Sequence, residues 1–66
     1  MRLRELRESK RMSQQRLAKE LNMSQNTISR YETGAHEPGI TELIKIADYF
    51  KVSIDYLLER TDNPSM

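Results

Sequence analysis

Sixty-six residues without a cysteine allow one small core, since a chain of this size hides only about 60% of its unfolded surface; they rule out disulfide staples and thiolate metal sites. The net charge of +1 conceals a division: residues 1–33 hold eight bases against four acids, a balance of +4, and residues 34–66 hold three bases against six acids, a balance of −3. No apolar run approaches the roughly 20 residues that span a bilayer, and "MRLRELRESK" alternates charge where a secretory leader needs an apolar stretch, so the expected setting is a reducing cytosol.

Apolar residues recur at helical spacing, and no segment alternates with period two for long enough to read as a strand. The expected fold class is all-α. Leu3 and Leu6 predict a first helix over Arg2 to Lys10. Ser13 can cap a second, Gln14 to Leu21, because a serine oxygen accepts a bond from an amide of the first turn; Leu17, Ala18 and Leu21 form its inward stripe. Ser24 can likewise cap a third, Gln25 to Thr33, striped by Ile28 and Tyr31, and Gly34 stands where a helix end favours a left-handed residue. Beyond a loop holding Pro38 and Gly39, the spacing of Leu43, Ile44, Ala47 and Phe50 predicts a fourth helix over Ile40 to Tyr49. Ser53 can cap the fifth, Ile54 to Glu59. One domain is expected over residues 1–60. Residues 61–66, "TDNPSM", offer no apolar anchor and are expected to fray.

The break at Asn22-Met23-Ser24 joins the second and third helices by so few residues that they must cross steeply, as in a helix-turn-helix. Each position then has a requirement that the sequence meets. Ala18 is small enough for the backbones to approach at the crossing. Asn22 is among the few residues other than glycine that accept positive φ. Leu17, Leu21, Met23, Ile28 and Tyr31 supply apolar contacts to lock the angle.

From Leu3 to Leu58, nearly the whole chain resembles the phage-repressor and Cro-like (XRE-type) helix-turn-helix domain. The most specific pieces are "MSQQRLAKELN", "SQNTISRYETG" followed by Pro38, and "KVSIDYLL". The resemblance implies a compact five-helix bundle around a central helix-turn-helix, as in lambda-repressor-like domains. It also implies sequence-specific binding to double-stranded DNA, control of transcription by repression or activation, and action as a homodimer. No cofactor or metal is implied.

In such a motif the N-terminal residues of the second helix of the pair reach base edges in the major groove. Here the outward positions are Gln25, Asn26, Ser29 and Arg30, the candidate base contacts. Asn or Gln can pair bidentately with adenine and Arg with guanine, and Asn26 and Arg30, four apart, share one face. Candidate backbone contacts are Ser24 at the edge of the site and, as the resemblance implies, Thr27 and Gln14, the latter at the start of the second helix where free amides favour phosphate, with Gln15 and Arg16 weaker ones; such contacts position the protein without reading sequence. The resemblance further implies an ion pair between Arg7 on the first helix and Glu32 on the third. In the loop "GAHEPG", Ala35, His36 and Glu37 stand where related repressors place bases, so moderate affinity per protomer and a need for dimerisation are expected.

An enzyme fits poorly: the single histidine has no cysteine or second histidine to work with, and there is no phosphate-cradling glycine loop. A small-molecule ligand is not indicated. The competing reading is a small protein-interaction module, an antitoxin or antirepressor, working through "SIDYLLERT". In that segment Leu57 and Leu58 are expected to finish the core. The preferred reading joins DNA binding through the third helix with dimerisation through the C-terminal region. Its operator would be near-palindromic, with recognition helices entering major grooves about 34 Å apart. Whether the chain is a whole small regulator or the DNA-binding part of a longer one stays open.

Overall fold

The computed structural model describes residues 1–65. Five helices, α1 (Leu3–Ser9), α2 (Gln14–Leu21), α3 (Gln25–Thr33), α4 (Ile40–Phe50) and α5 (Ile54–Leu57), make an all-α bundle, with no strand among the described residues. The predicted order and number hold. Four boundaries move: α1 loses Arg2 and Lys10, α4 gains Phe50, and α5 stops at Leu57, two residues before the expected Glu59.

Serine capping explains three of the five starts. The Oγ atoms of Ser13, Ser24 and Ser53 accept from the amides of Arg16, Thr27 and Tyr56 at 3.0, 3.1 and 3.0 Å. Each bond satisfies one of the amides that a helix start leaves unpaired. α4 begins differently, after Gly39, which has extended backbone and no side chain to cap the helix. A Cβ there would sit 2.8 Å from the Glu42 carboxylate.

The core is one apolar cluster drawn from every helix. Leu3, Leu17, Leu21, Ile28, Ile46 and Leu57 are fully buried, and Ala18, Tyr31, Ala47, Phe50 and Val52 nearly so. Burying each large aliphatic side chain is worth about 1.5–3 kcal/mol, so the bundle's stability rests on these few residues. Leu57 finishes the core, but Leu58 is 39% exposed; the expectation that both are buried holds only for the first. α5 ends between them, and its last turn carries Leu58 to the surface.

The C-terminal residues, expected to fray for want of an apolar anchor, meet polar ones instead. The Ser53 amide donates to the Pro64 carbonyl at 3.1 Å, and Arg2 donates to the Thr61 carbonyl at 3.0 Å and to the Asp62 carboxylate at 2.9 Å. Met66 lies outside the described residues.

Candidate nucleic-acid interface

α2 and α3 pack most intimately of all the helices, and the turn between them is built by backbone hydrogen bonds. Asn22 takes φ 58°, ψ 43°. Its amide donates to the Lys19 carbonyl at 3.2 Å, and the Met23 amide donates to the Ala18 carbonyl at 2.8 Å. These two bonds end α2, Ser24 starts α3 two residues later, and the crossing is fixed by buried Leu17, Ala18, Leu21 and Ile28. Met23 is half-buried against them.

With Ile28 and Tyr31 turned into the core, helical periodicity fixes what α3 shows to solvent. Gln25, Asn26 and Arg30 are exposed, on the first two turns. Ser29, expected to face outward with them, is only half-buried, because it lies next to the Ile28 stripe. Gly34 takes φ 81° and ends the helix. The loop then folds back: the His36 amide donates to the Arg30 carbonyl at 3.3 Å, and the His36 ring stacks on Tyr31 with centroids 5.8 Å apart.

The candidate backbone contacts divide into free and engaged groups. Gln15 and Arg16 are exposed with no side-chain hydrogen bond among the described residues. Ser24 and Thr27 are tied to each other, their hydroxyl oxygens 2.8 Å apart, while Ser24 also caps the Thr27 amide. Gln14 is turned inward: its Nε2 donates to Glu32 Oε1 at 3.0 Å. One amide hydrogen and the backbone N–H of this first helical residue remain for any outside partner.

Glu32 is the hub of this arrangement. Its side chain is fully buried, yet Arg7 grips it with two nitrogens, Nε to Oε2 at 2.6 Å and Nη2 to Oε1 at 3.1 Å, and Gln14 and Arg4 add bonds to Oε1 at 3.0 and 3.4 Å. Burial alone pushes the Glu32 carboxyl up, but the hydrogen bonds from Arg7 and Gln14 and the Arg7 charge outweigh it and hold the group below its ordinary value. The hydrogen bond to Glu32 raises Arg7 above its ordinary value despite desolvation, so both partners stay charged. Arg7 also donates to the Met12 carbonyl at 2.7 Å, which ties α1 and the loop after it to the far end of α3. The share taken by Gln14 and Arg4 had no signal in sequence spacing, since three donors from two helices converge on one oxygen only after packing.

The helix-turn-helix family profile matches residues 3–57. Among curated proteins, the chain is 32% identical to the HTH-type transcriptional regulator YobD of Bacillus subtilis over 63 residues, which is 96% of this chain and 56% of that protein. It is 40% identical over 60 residues to the SPβ-prophage-derived regulator YonR of the same organism, again 56% of that protein, with 91% of this chain covered. It is 39% identical over 56 residues to the HTH-type transcriptional activator BcrR of Enterococcus faecalis, covering 85% of this chain and 28% of that protein. The chain thus spans about half the length of the first two relatives. No solved structure matches. With a profile match over almost all of the bundle and a turn built on Ala18, Asn22 and Ser24, the chain belongs to the helix-turn-helix family of XRE type.

Proposed function

We propose that the chain is a transcriptional regulator that binds double-stranded DNA as a homodimer, reads a near-palindromic operator with α3, and represses by occupying it. The observation that carries this reading is the exposed trio Gln25, Asn26 and Arg30 on a helix whose other face is clamped by Ile28, Tyr31 and the Glu32 hub. Held that rigidly, Asn26 can pair bidentately with adenine and Arg30 with guanine, each worth about 1–3 kcal/mol of discrimination. Gln25 and Ser29 flank them. Gln14, Gln15, Ser24 and Thr27 supply positioning contacts to phosphate; the engaged hydroxyls of Ser24 and Thr27 act as a preformed pair, and Gln14 through the hydrogens not given to Glu32.

A dimer is supported by apolar side chains left exposed on α4 and just after α5. Ile40, Ile44 and Leu58 are 76%, 44% and 39% exposed, and Leu58 lines a cleft of about 450 Å³ together with Met1, Tyr31, His36, Glu37, Pro38 and Leu43. An isologous contact needs a patch that is its own complement, and the exposed Ile40 and Ile44, four apart on one face of α4, offer an apolar one. Several relatives carry regulator in their names and one is an activator; repression requires only occupancy of the operator, whereas activation demands a further contact with the transcription machinery.

Selection of binding sites from random duplex DNA tests the reading. The wild type should enrich an inverted repeat, and the double variant Asn26→Ala, Arg30→Ala should lose it. Equal enrichment by both proteins, or none by either, would overturn the assignment of α3 as the reading helix.

A further inference from the structure

Two guanidiniums meet one carboxylate at Glu32, which leaves a positive charge over. Arg7 is consumed: its side chain is 12% exposed and donates to Glu32 twice and to the Met12 carbonyl. Arg4 is not. Its side chain is 57% exposed, it reaches Glu32 through Nε alone at 3.4 Å, and its two terminal nitrogens have no partner among the described residues. Glu8, one turn along α1, makes no ion pair with it, and Glu5 lies instead 3.8 Å from Arg2. The oxygen that Arg4 touches, Glu32 Oε1, is the one that holds Gln14 Nε2. Arg4 and Gln14 therefore stand within about two hydrogen-bond lengths of each other, at the edge where α2 begins.

We propose that Arg4 is a phosphate-binding residue, an arm of α1 that grips the DNA backbone beside Gln14. The inference rests on the DNA-binding reading above and adds a contact from outside the helix-turn-helix. A guanidinium tethered by one nitrogen and free at the other two keeps its planar fork for a phosphate while losing less rotamer freedom than an unanchored arginine. The other exposed arginines, Arg11, Arg16, Arg30 and Arg60, make no ion pair among the described residues and lack that tether. Because Glu32 is already neutralised by Arg7, the charge of Arg4 is available to the ligand.

Binding isotherms of the full chain across salt concentration decide the matter, using the duplex selected by the wild type and a shuffled duplex. Arg4→Gln should weaken binding to both by a similar factor, about three- to tenfold near 0.1 M salt, and lower the slope of log K against log salt by about 0.9 per protomer. Arg4→Lys should keep most of the slope, and Arg60→Gln, on the acidic half, should change nothing. Thermal melts of the same variants separate a binding role from a structural one. An unchanged slope for Arg4→Gln overturns the proposal, as does a loss of binding in Arg4→Lys that follows a loss of melting temperature. Failure of the wild type to bind any duplex overturns this proposal and the DNA-binding reading together; a wild type that binds beside an Arg4→Gln of equal slope overturns this one alone.

Discussion

A carboxylate taken out of water is costly unless its lone pairs are filled, and at Glu32 they are filled by donors from two other helices. Removing the carboxylate leaves Arg7, itself mostly buried, without a counter-charge and with only the Met12 carbonyl as acceptor. Glu32→Ala is therefore expected to cost about 3–5 kcal/mol, and a thermal melt should fall by more than ~10 °C for a domain of this size. The pH dependence follows from the depressed carboxyl. Its stabilisation is fully present above the unfolded-state value of about 4.3 and is lost as pH falls through the lower folded-state value. Acid unfolding of the wild type should thus steepen below about pH 4, and Glu32→Gln should flatten that limb; identical acid profiles would contradict the sign. Family resemblance made the Arg7 and Glu32 partnership legible beforehand. The roles of Gln14 and Arg4 were not, because a polar side chain at a helix start reads equally well as a group awaiting solvent or phosphate until packing brings an acceptor to it.

Helix ends carry the architecture, and they repeat one device. Arg11, Asn22, Lys51 and Glu59 all adopt positive φ, at 54°, 58°, 57° and 64°. In each case that residue's amide donates three residues back, and the next residue's amide donates five residues back from itself, as in Lys51 to Asp48 at 3.2 Å and Val52 to Ala47 at 3.0 Å. This is the closure that usually recruits glycine. Asn22 and Gly34 were readable because asparagine and glycine tolerate that region; Arg, Lys and Glu have no such preference, so Arg11, Lys51 and Glu59 gave no warning. The signal available was the following residue, since Met12, Met23 and Val52 pack on the core as the motif's hydrophobic contact requires. Left-handed backbone costs a side-chain-bearing residue about 1–2 kcal/mol, and glycine gives back about 0.5–1 kcal/mol in unfolded-chain entropy. Lys51→Gly should consequently stabilise the fold by about 0.5 kcal/mol, visible as a higher denaturant midpoint with an unchanged slope. A lower midpoint would show that the Lys51 side chain has a role of its own.

Across the whole molecule, the two ends of the chain are clasped by one residue. Arg2 donates from its amide to the Leu57 carbonyl at 2.8 Å, from Nε to the Tyr56 carbonyl at 2.8 Å, and lies 4.3 Å from the centre of the Tyr56 ring. The Met1 ammonium pairs with Glu59 at 3.1 Å. α5 has only four residues, too few to hold itself, so this clasp and Leu57 seat it. The charge division then acquires a geometry: the basic half forms α1 to α3, which carry the candidate base and backbone contacts, and the acidic half forms α4 and α5. A dimer built on the acidic half must rely on apolar contact. Ile40→Glu with Ile44→Glu should convert a dimer into a monomer in sedimentation equilibrium and weaken operator binding by at least ~10-fold through lost avidity; a variant that still sediments as a dimer would place the interface elsewhere. The compactness of the bundle was legible from its apolar periodicity, whereas the clasp was not, since Arg2 finds its acceptors on backbone carbonyls that are more than fifty residues away. The central claim, that α3 reads the major groove, is tested most directly by methylation of the selected duplex with dimethyl sulfate, which marks guanine N7 in the major groove and adenine N3 in the minor groove. Bound wild type should protect guanine N7 in both half-sites, and Arg30→Ala should restore its reactivity; protection confined to adenine N3, or guanine protection indifferent to Arg30, would contradict it.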